Sequence, residues 1–199
     1  MKKSKRIVRK PVNLVTQYWD DMEEFLSDAE KADSKYKAYL SSISEQERAL
    51  PKLDTWGCRY TILSSFLYLE ALINLEYFNY MFPSISPREL KLTQKATLDK
   101  KMRDTPFDRK WSTWIETIVG RELNLRECQE HKELMLLKGW RNYLTHYKIQ
   151  HMLLIHEEIE TIEKARDAKR IAIQSTKWYY DITQIEPAEW IQRDILGML

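Results

Sequence analysis

An all-α, up-down helical bundle is the fold predicted by this 199-residue sequence, and three observations carry the prediction. Only four glycines and six prolines interrupt the chain, so long stretches pass without a turn signal. Apolar residues recur at steps of three and four rather than two. A hydrophobic content of 43% with seven tryptophans supplies enough apolar surface for one substantial core.

From the N-terminus, residues 1–12 read as a basic, flexible arm: Lys2, Lys3, Lys5, Arg6, Arg9 and Lys10 stand there without an acid. They are six of the chain's 32 Lys and Arg residues, which leaves 26 against 30 acids and a mildly acidic body. Such an arm either lies along a phosphate backbone or is a solvated terminus. Residues 13–199 read as one helical domain. Leu14, Tyr18, Met22, Phe25, Ala29, Ala32, Tyr36, Tyr39 and Ile43 predict a long first helix over about 13–47. Pro51 ends it and Asp54 is the next candidate N-cap. Ile62, Phe66, Leu69, Ile73, Tyr77 and Tyr80, widened by Leu63, Leu67 and Leu72, then mark a central helix buried on several sides, with Asn74 expected to find partners inside it.

"SPRE" at 86–89 reads as a capping box, with Ser86 as N-cap and Glu89 reaching back, so a short polar helix is expected after it. "TPFD" at 105–108 repeats the device: Thr105 caps, and Trp111, Trp114, Ile115 and Ile118 face inward until Gly120 stops the run. A helix opening near Glu127 carries Leu134, Leu137 and Leu144. The last long helix, from about His151 to Tyr180, turns Ile155, Ile159, Ile162, Ala165, Ala168 and Ala172 inward and "EEIETIEKARDAKR" toward water.

Several function classes are disfavoured. No apolar h-region stands after the arm and no apolar run approaches the roughly 20 residues of a membrane helix, so the expectation is a soluble, cytoplasmic protein without a membrane partner. Cys58 and Cys128 stand alone, without zinc-site or disulfide spacing. GxxxxGK[ST], GxGxxG, GxSxG and HExxH are all missing. His156 and Glu160 form at most half a metal site, so no metal and no cofactor are expected.

"LKGWRNYLTHYK", residues 137–148, is different. Asn142 and His146 are four apart on one helical face, and Arg141 precedes them with a side chain long enough to reach the same rim. An arginine amid Leu137, Trp140, Tyr143 and Leu144 needs a reason, because burying it unpaired is costly. Either Arg141 pairs with an acid on a neighbouring helix, or the group faces a cleft and handles phosphate.

These residues resemble the R-x(4–6)-H signature of HEPN domains, in which Asn commonly comes after the Arg; here Arg141 and His146 give its shortest form. "SSFLYLEALINLEYFNY" is similar to a helix found upstream in one HEPN branch, and "FDRKWSTWIETIVGREL" is similar to the segment where a Lys-Trp pair precedes a Gly-Arg/Lys-x-Leu/Phe loop. The three segments occur in the same order, and the resemblance is strongest over 55–180. The chain departs from the pattern at Trp140 and Thr145, where an aliphatic residue and Val are usual.

The resemblance implies a metal-independent endoribonuclease acting as a homodimer, with two motif helices lining one cleft. The 2′-OH of RNA attacks, His146 moves protons, Arg141 holds the scissile phosphate and Asn142 orients His146 or the phosphate. Lys148 and the arm's Lys2, Lys3, Lys5, Arg6, Arg9 and Lys10 are the RNA-binding candidates. A toxin or defence-related setting, with an antitoxin or regulatory partner, goes with this reading. The alternative is a non-catalytic helical module for dimerisation or for binding a nucleotide or partner. Trp111, Trp114, Trp140, Trp178 and Trp190 exceed what one small core readily covers, which also favours a homodimer.

Overall fold

The computed structural model describes residues 13–42, 55–146 and 158–197. Every regular element among them is helical: α1 (Leu14–Ser42), α2 (Trp56–Met81), α3 (Leu92–Asp104), α4 (Phe107–Arg109), a π-helical turn (Lys110–Trp114), α5 (Ile115–Val119), α6 (Gln129–Thr145), α7 (Ile162–Thr183) and α8 (Glu189–Asp194). None of these helices is long and apolar enough to cross a membrane.

Side-chain pairings give the directions of the four long helices. Trp19 meets Tyr68 and Phe25 meets Tyr60, so α1 runs antiparallel to α2. Tyr68 bonds Thr176 and Glu76 bonds Tyr180, so α7 runs parallel to α2. Glu133 pairs with Arg170 and Trp140 lies under Lys164, so α6 runs against α7. The result is an up-down bundle with α2 and α7 at its centre and α1 and α6 on its flanks.

α2 is central because it is apolar nearly all round. Ile62, Phe66, Leu69, Leu72, Ile73 and Tyr77 are buried as the periodicity predicts, while Leu67 and Tyr80 reach the surface. Among the described residues the Oδ1 of Asn74 is buried without a hydrogen-bond partner, contrary to the expectation of a satisfied amide. The expected aromatic surplus is also corrected: Trp111, Trp114 and Trp140 are buried, and Trp178 and Trp190 pack against the same core.

α1 keeps the expected period with a shifted phase. Its buried residues are Val15, Trp19, Met22, Leu26 and Ala29, whereas Leu14 and Tyr39 are exposed. Neighbouring apolar pairs (Leu14–Val15, Tyr18–Trp19, Phe25–Leu26) permit either phase, and the seat against α2 selects one. No residue from Glu30 to Ser42 is buried, so the inward stripe stops at Ala29 rather than running on through Ala32, Tyr36 and Tyr39. Ile43, the expected end near 47, Pro51, Asp54, Ile155 and the start of the last helix at His151 lie outside the described residues.

The later helix starts also differ from expectation. In "SPRE" the amide of Ser86 does donate to Glu89, at 2.7 Å. That bond closes a turn only; α3 begins at Leu92, where the Lys91 amide donates to Gln94 at 3.1 Å. Thr105 ends α3 rather than capping α4, and Pro106 is the residue before Phe107. Gly120 does stop α5, in the left-handed conformation at φ 76°.

Nor does the acidic-basic run of α7 face only water. Arg166 pairs with Glu30, Lys169 with Glu23 and Arg170 with Glu133, tying α7 to both flanks. Glu160, 1% exposed, lies inside, pairing with Arg59 and accepting from the Thr55 hydroxyl at 2.9 Å.

Two expected outcomes test this packing. A β-carbon at Gly57 would stand 2.8 Å from the Ala29 nitrogen and 2.9 Å from the Phe25 carbonyl oxygen. Both obstacles are backbone, so Gly57→Ala must push α1 from α2. Forcing packed elements apart costs about 1–3 kcal/mol, more than the helix-propensity gain of at most about 1 kcal/mol, and thermal melts should show a lower Tm.

The second concerns Glu76, a buried acid that accepts from the Tyr180 hydroxyl at 2.9 Å. Burial raises its pKa above the ordinary 4.5, against the lowering effect of bonds from Tyr180 and Asn79. The folded chain therefore holds this proton at pH values where the unfolded chain has released it. The stabilising contribution is complete below pH 4.5 and is lost as pH rises from there through the raised folded value. Glu76→Gln, which keeps an acceptor for Tyr180, should raise Tm at neutral pH and flatten its decline between mildly acid and neutral conditions. Parallel slopes for the two proteins across that range would contradict this.

Candidate functional site

α6 is seated by Leu134, Leu137, Trp140 and Leu144, all buried against α2 and α7. That seat fixes where the remaining side chains go. Leu136 and Tyr143 are 50% and 49% exposed on the outer surface. Arg141, half-buried, is turned to α2, its guanidinium carbon 5.1 Å from the ring centroid of Phe66. Its Nη1 donates to Oδ1 of Asn142 at 3.1 Å, and its carbonyl accepts from the Thr145 hydroxyl at 2.9 Å. Among the described residues no carboxylate forms an ion pair with Arg141.

His146 is the first residue past the helix. Its backbone, at φ −114° and ψ 76°, leaves the helical conformation while its amide still donates to the Asn142 carbonyl at 2.9 Å. The side chain is exposed. Asn142 thus meets Arg141 through its side chain and His146 through its backbone. Lys148, the six basic residues of the arm, and His156 lie outside the described residues.

The three segments that carry the sequence resemblance come together here. Phe66, beneath Arg141, packs on Phe107 with ring centroids 4.4 Å apart. Next to Phe107, Asp108 accepts from Lys138 at 2.8 Å, one helical turn before Arg141. Burial of Asp108 is slight, and the bond from Lys138 holds its carboxyl below the usual range. One turn beyond Phe66, Glu70 pairs at 2.8 Å with Lys110, a lysine only 1% exposed whose ammonium also stands 5.6 Å from the Trp114 ring. A buried lysine without that partner would be costly. The junction therefore holds three cations, Lys110, Lys138 and Arg141, with Glu70 and Asp108 engaging the two lysines.

Sequence spacing singles out Arg141, Asn142 and His146 as candidates but not the residues packed against Arg141 and Lys138. Phe66 is legible there only as core, and Asp108 only as part of a helix start. His131, two turns before Lys138, carries no sequence signal at all. Its Nε2 is buried without a hydrogen-bond partner among the described residues; burial lowers its pKa, and the Asp108 charge opposes this.

Cys58 and Cys128 are free thiols. Burial, together with Asp33, Glu160 and Glu163, pushes the Cys58 thiol up to about 11, so it is a poor nucleophile near neutrality. Among the described residues no three His, Cys, Asp or Glu side chains gather as a metal-binding set. Glu160, half of the pair considered for a metal, is engaged by Arg59 and Thr55. A scan against protein-family models and searches among curated proteins and solved structures found no match to this chain.

Proposed function

We propose that the protein is a HEPN-type, metal-independent endoribonuclease acting as a homodimer. The observation that supports this most directly is the state of Arg141: a guanidinium at the bundle surface, held by an aromatic face and an amide and paired with no acid among the described residues. An arginine kept for stability would normally be matched to a carboxylate, as Arg59 and Arg170 are. Held as it is, Arg141 keeps donors for an incoming phosphate. The imidazole of His146 stands exposed at the end of the same helix, where it can move a proton.

The reaction needs no atoms from outside the RNA. A histidine takes the proton of the 2′-OH, whose oxygen bonds to phosphorus. The bond from phosphorus to the 5′-oxygen breaks, and a protonated histidine returns a proton to that oxygen. The products are a 2′,3′-cyclic phosphate and a 5′-hydroxyl. Arg141 offsets the charge that builds on the phosphoryl oxygens. Base and acid are two groups, and a second copy of α6 across a two-fold axis would supply the second His146. Leu136, exposed on the outer face of α6 next to Gly139, where an added β-carbon would meet nothing within 4 Å among the described residues, offers a surface for that approach.

In an EDTA-containing assay with single-stranded RNA, His146→Ala should lose about 100- to 10,000-fold in rate, Arg141→Ala a comparable factor, and Asn142→Ala less, each melting close to the parent. Phe66→Leu keeps an apolar filling but removes the ring under Arg141. Cation–π contacts are worth about 0.5–2 kcal/mol, so cleavage should fall by roughly two- to thirtyfold. Light scattering should give twice the chain mass at micromolar concentration. A wild-type protein that cleaves no RNA, or alanine variants that melt much earlier yet keep their rate, would instead mark α6 as part of a non-catalytic interaction module.

A further inference from the structure

We propose that Lys138 is a second phosphate contact for the RNA strand, held in place by Asp108. The inference rests on the ribonuclease reading and assigns the strand's path across the protein.

Lys138 stands one helical turn before Arg141 on α6, which places their β-carbons about 5–6 Å apart on neighbouring positions of one face. Both side chains leave α6 toward the same junction. Arg141 lies over Phe66, Lys138 reaches Asp108, and the Phe66–Phe107 contact joins the two points. Neighbouring phosphates of one strand can match that spacing. If Arg141 takes the scissile phosphate, the next phosphate in the direction of the α6 N-terminus reaches Lys138.

The ion pair itself leaves room for this contact. Lys138 is 32% and Asp108 48% exposed at the side chain, so the pair is wet and contributes little to stability. An ammonium carries three donors, and one of them suffices for the Asp108 bond. The bond also fixes the direction of a flexible four-carbon stem, lowering the ordering cost of phosphate binding. Lys110, the other lysine at the junction, is unsuited: it is 1% exposed and committed to Glu70. The acidic neighbour has an opposing effect, since the Asp108 carboxylate repels an incoming phosphate. Asp108 therefore weakens attraction while it orients Lys138, and charge dominates wherever the pair is solvated. His131 also faces Asp108 across the same junction.

The test uses the full-length chain and a 2′-O-methyl oligoribonucleotide, whose blocked 2′-oxygen prevents cleavage, with affinity read by fluorescence anisotropy over a range of salt. Lys138→Gln should weaken binding by roughly three- to tenfold and flatten the log–log salt slope by about 0.7, the value for one phosphate contact on a single strand. Lys138→Arg should keep the parental slope. Asp108→Asn, which removes the repelling charge, should tighten binding. Thermal melts check that each variant is folded. If the wild type binds the oligonucleotide while Lys138→Gln shows the same affinity and slope, the Lys138 assignment is overturned and the ribonuclease reading stands. If the wild type binds no RNA at all, both fall together.

Discussion

A helix that is apolar around most of its circumference has to be covered on several sides, and α2 sets that condition for the whole bundle. Its length carries Ile62, Phe66, Leu69, Ile73 and Tyr77, each buried. α1 closes one side, near enough at Gly57 that a β-carbon there meets backbone. α7 closes the second through Tyr68–Thr176 and Glu76–Tyr180, and α6 with the Phe107–Trp114 segment closes the third. Every feature of the candidate site inherits its place from this arrangement. Arg141 points where it does because Leu137, Trp140 and Leu144 are committed to the core, leaving its position on the wheel to face Phe66.

The buried charges of this core, and the hydroxyl of Tyr68, enter it with partners. Lys110 comes with Glu70, Glu160 with Arg59 and Thr55, and Tyr68 with Thr176. Glu76 is different, since it holds hydrogen bonds rather than an ion pair, and burial raises its pKa above the ordinary value. Tyr179 and Tyr180 lie close by, their hydroxyl pKa values raised chiefly by burial and further by the Glu76 charge. The upper part of the α2–α7 seam is thus a low-dielectric region in which ionisation is disfavoured. The lower end, with Arg59, Glu160 and the start of α7, is where charge is accommodated, and the C-terminal end of α6 with His146 is at that same end.

How much of this is legible in the sequence depends on whether a local signal or a partner decides the outcome. The stripe of α2 is legible because every turn repeats it. The phase of α1 is not, because Leu14–Val15, Tyr18–Trp19 and Phe25–Leu26 offer two apolar choices per turn and only the neighbour selects one. "SPRE" forms the bond its letters announce, from the Ser86 amide to Glu89, yet a cap closes one turn and does not compel the next. Glu160 stands in a run of charges whose average character is solvated, and its burial depends on Arg59 in a distant helix. At the site the same division holds. Arg141, Asn142 and His146 are visible as spacing along one helix. Phe66 meets Arg141 and Asp108 meets Lys138 across helices, and no spacing announces that.

The π-helical turn at Lys110–Trp114 has a consequence for how this chain can vary. A π turn holds one residue more than an α turn would, and the wider turn takes that residue up while the helical segments on its two sides keep nearly the facing of a continuous helix. On the N-terminal side stand Phe107 and Asp108, which reach Phe66 and Lys138; on the C-terminal side stand Trp114 and Ile115, which reach Tyr77 and the core. Removing a single residue within the turn would regularise the helix, and because the wider turn absorbs its extra residue, the segments on its two sides would keep nearly the same facing. The change would fall inside the turn, on the buried Lys110, Trp111 and Trp114. The place to lose a residue without turning one end against the other is thus an irregularity that simple helix periodicity does not reveal.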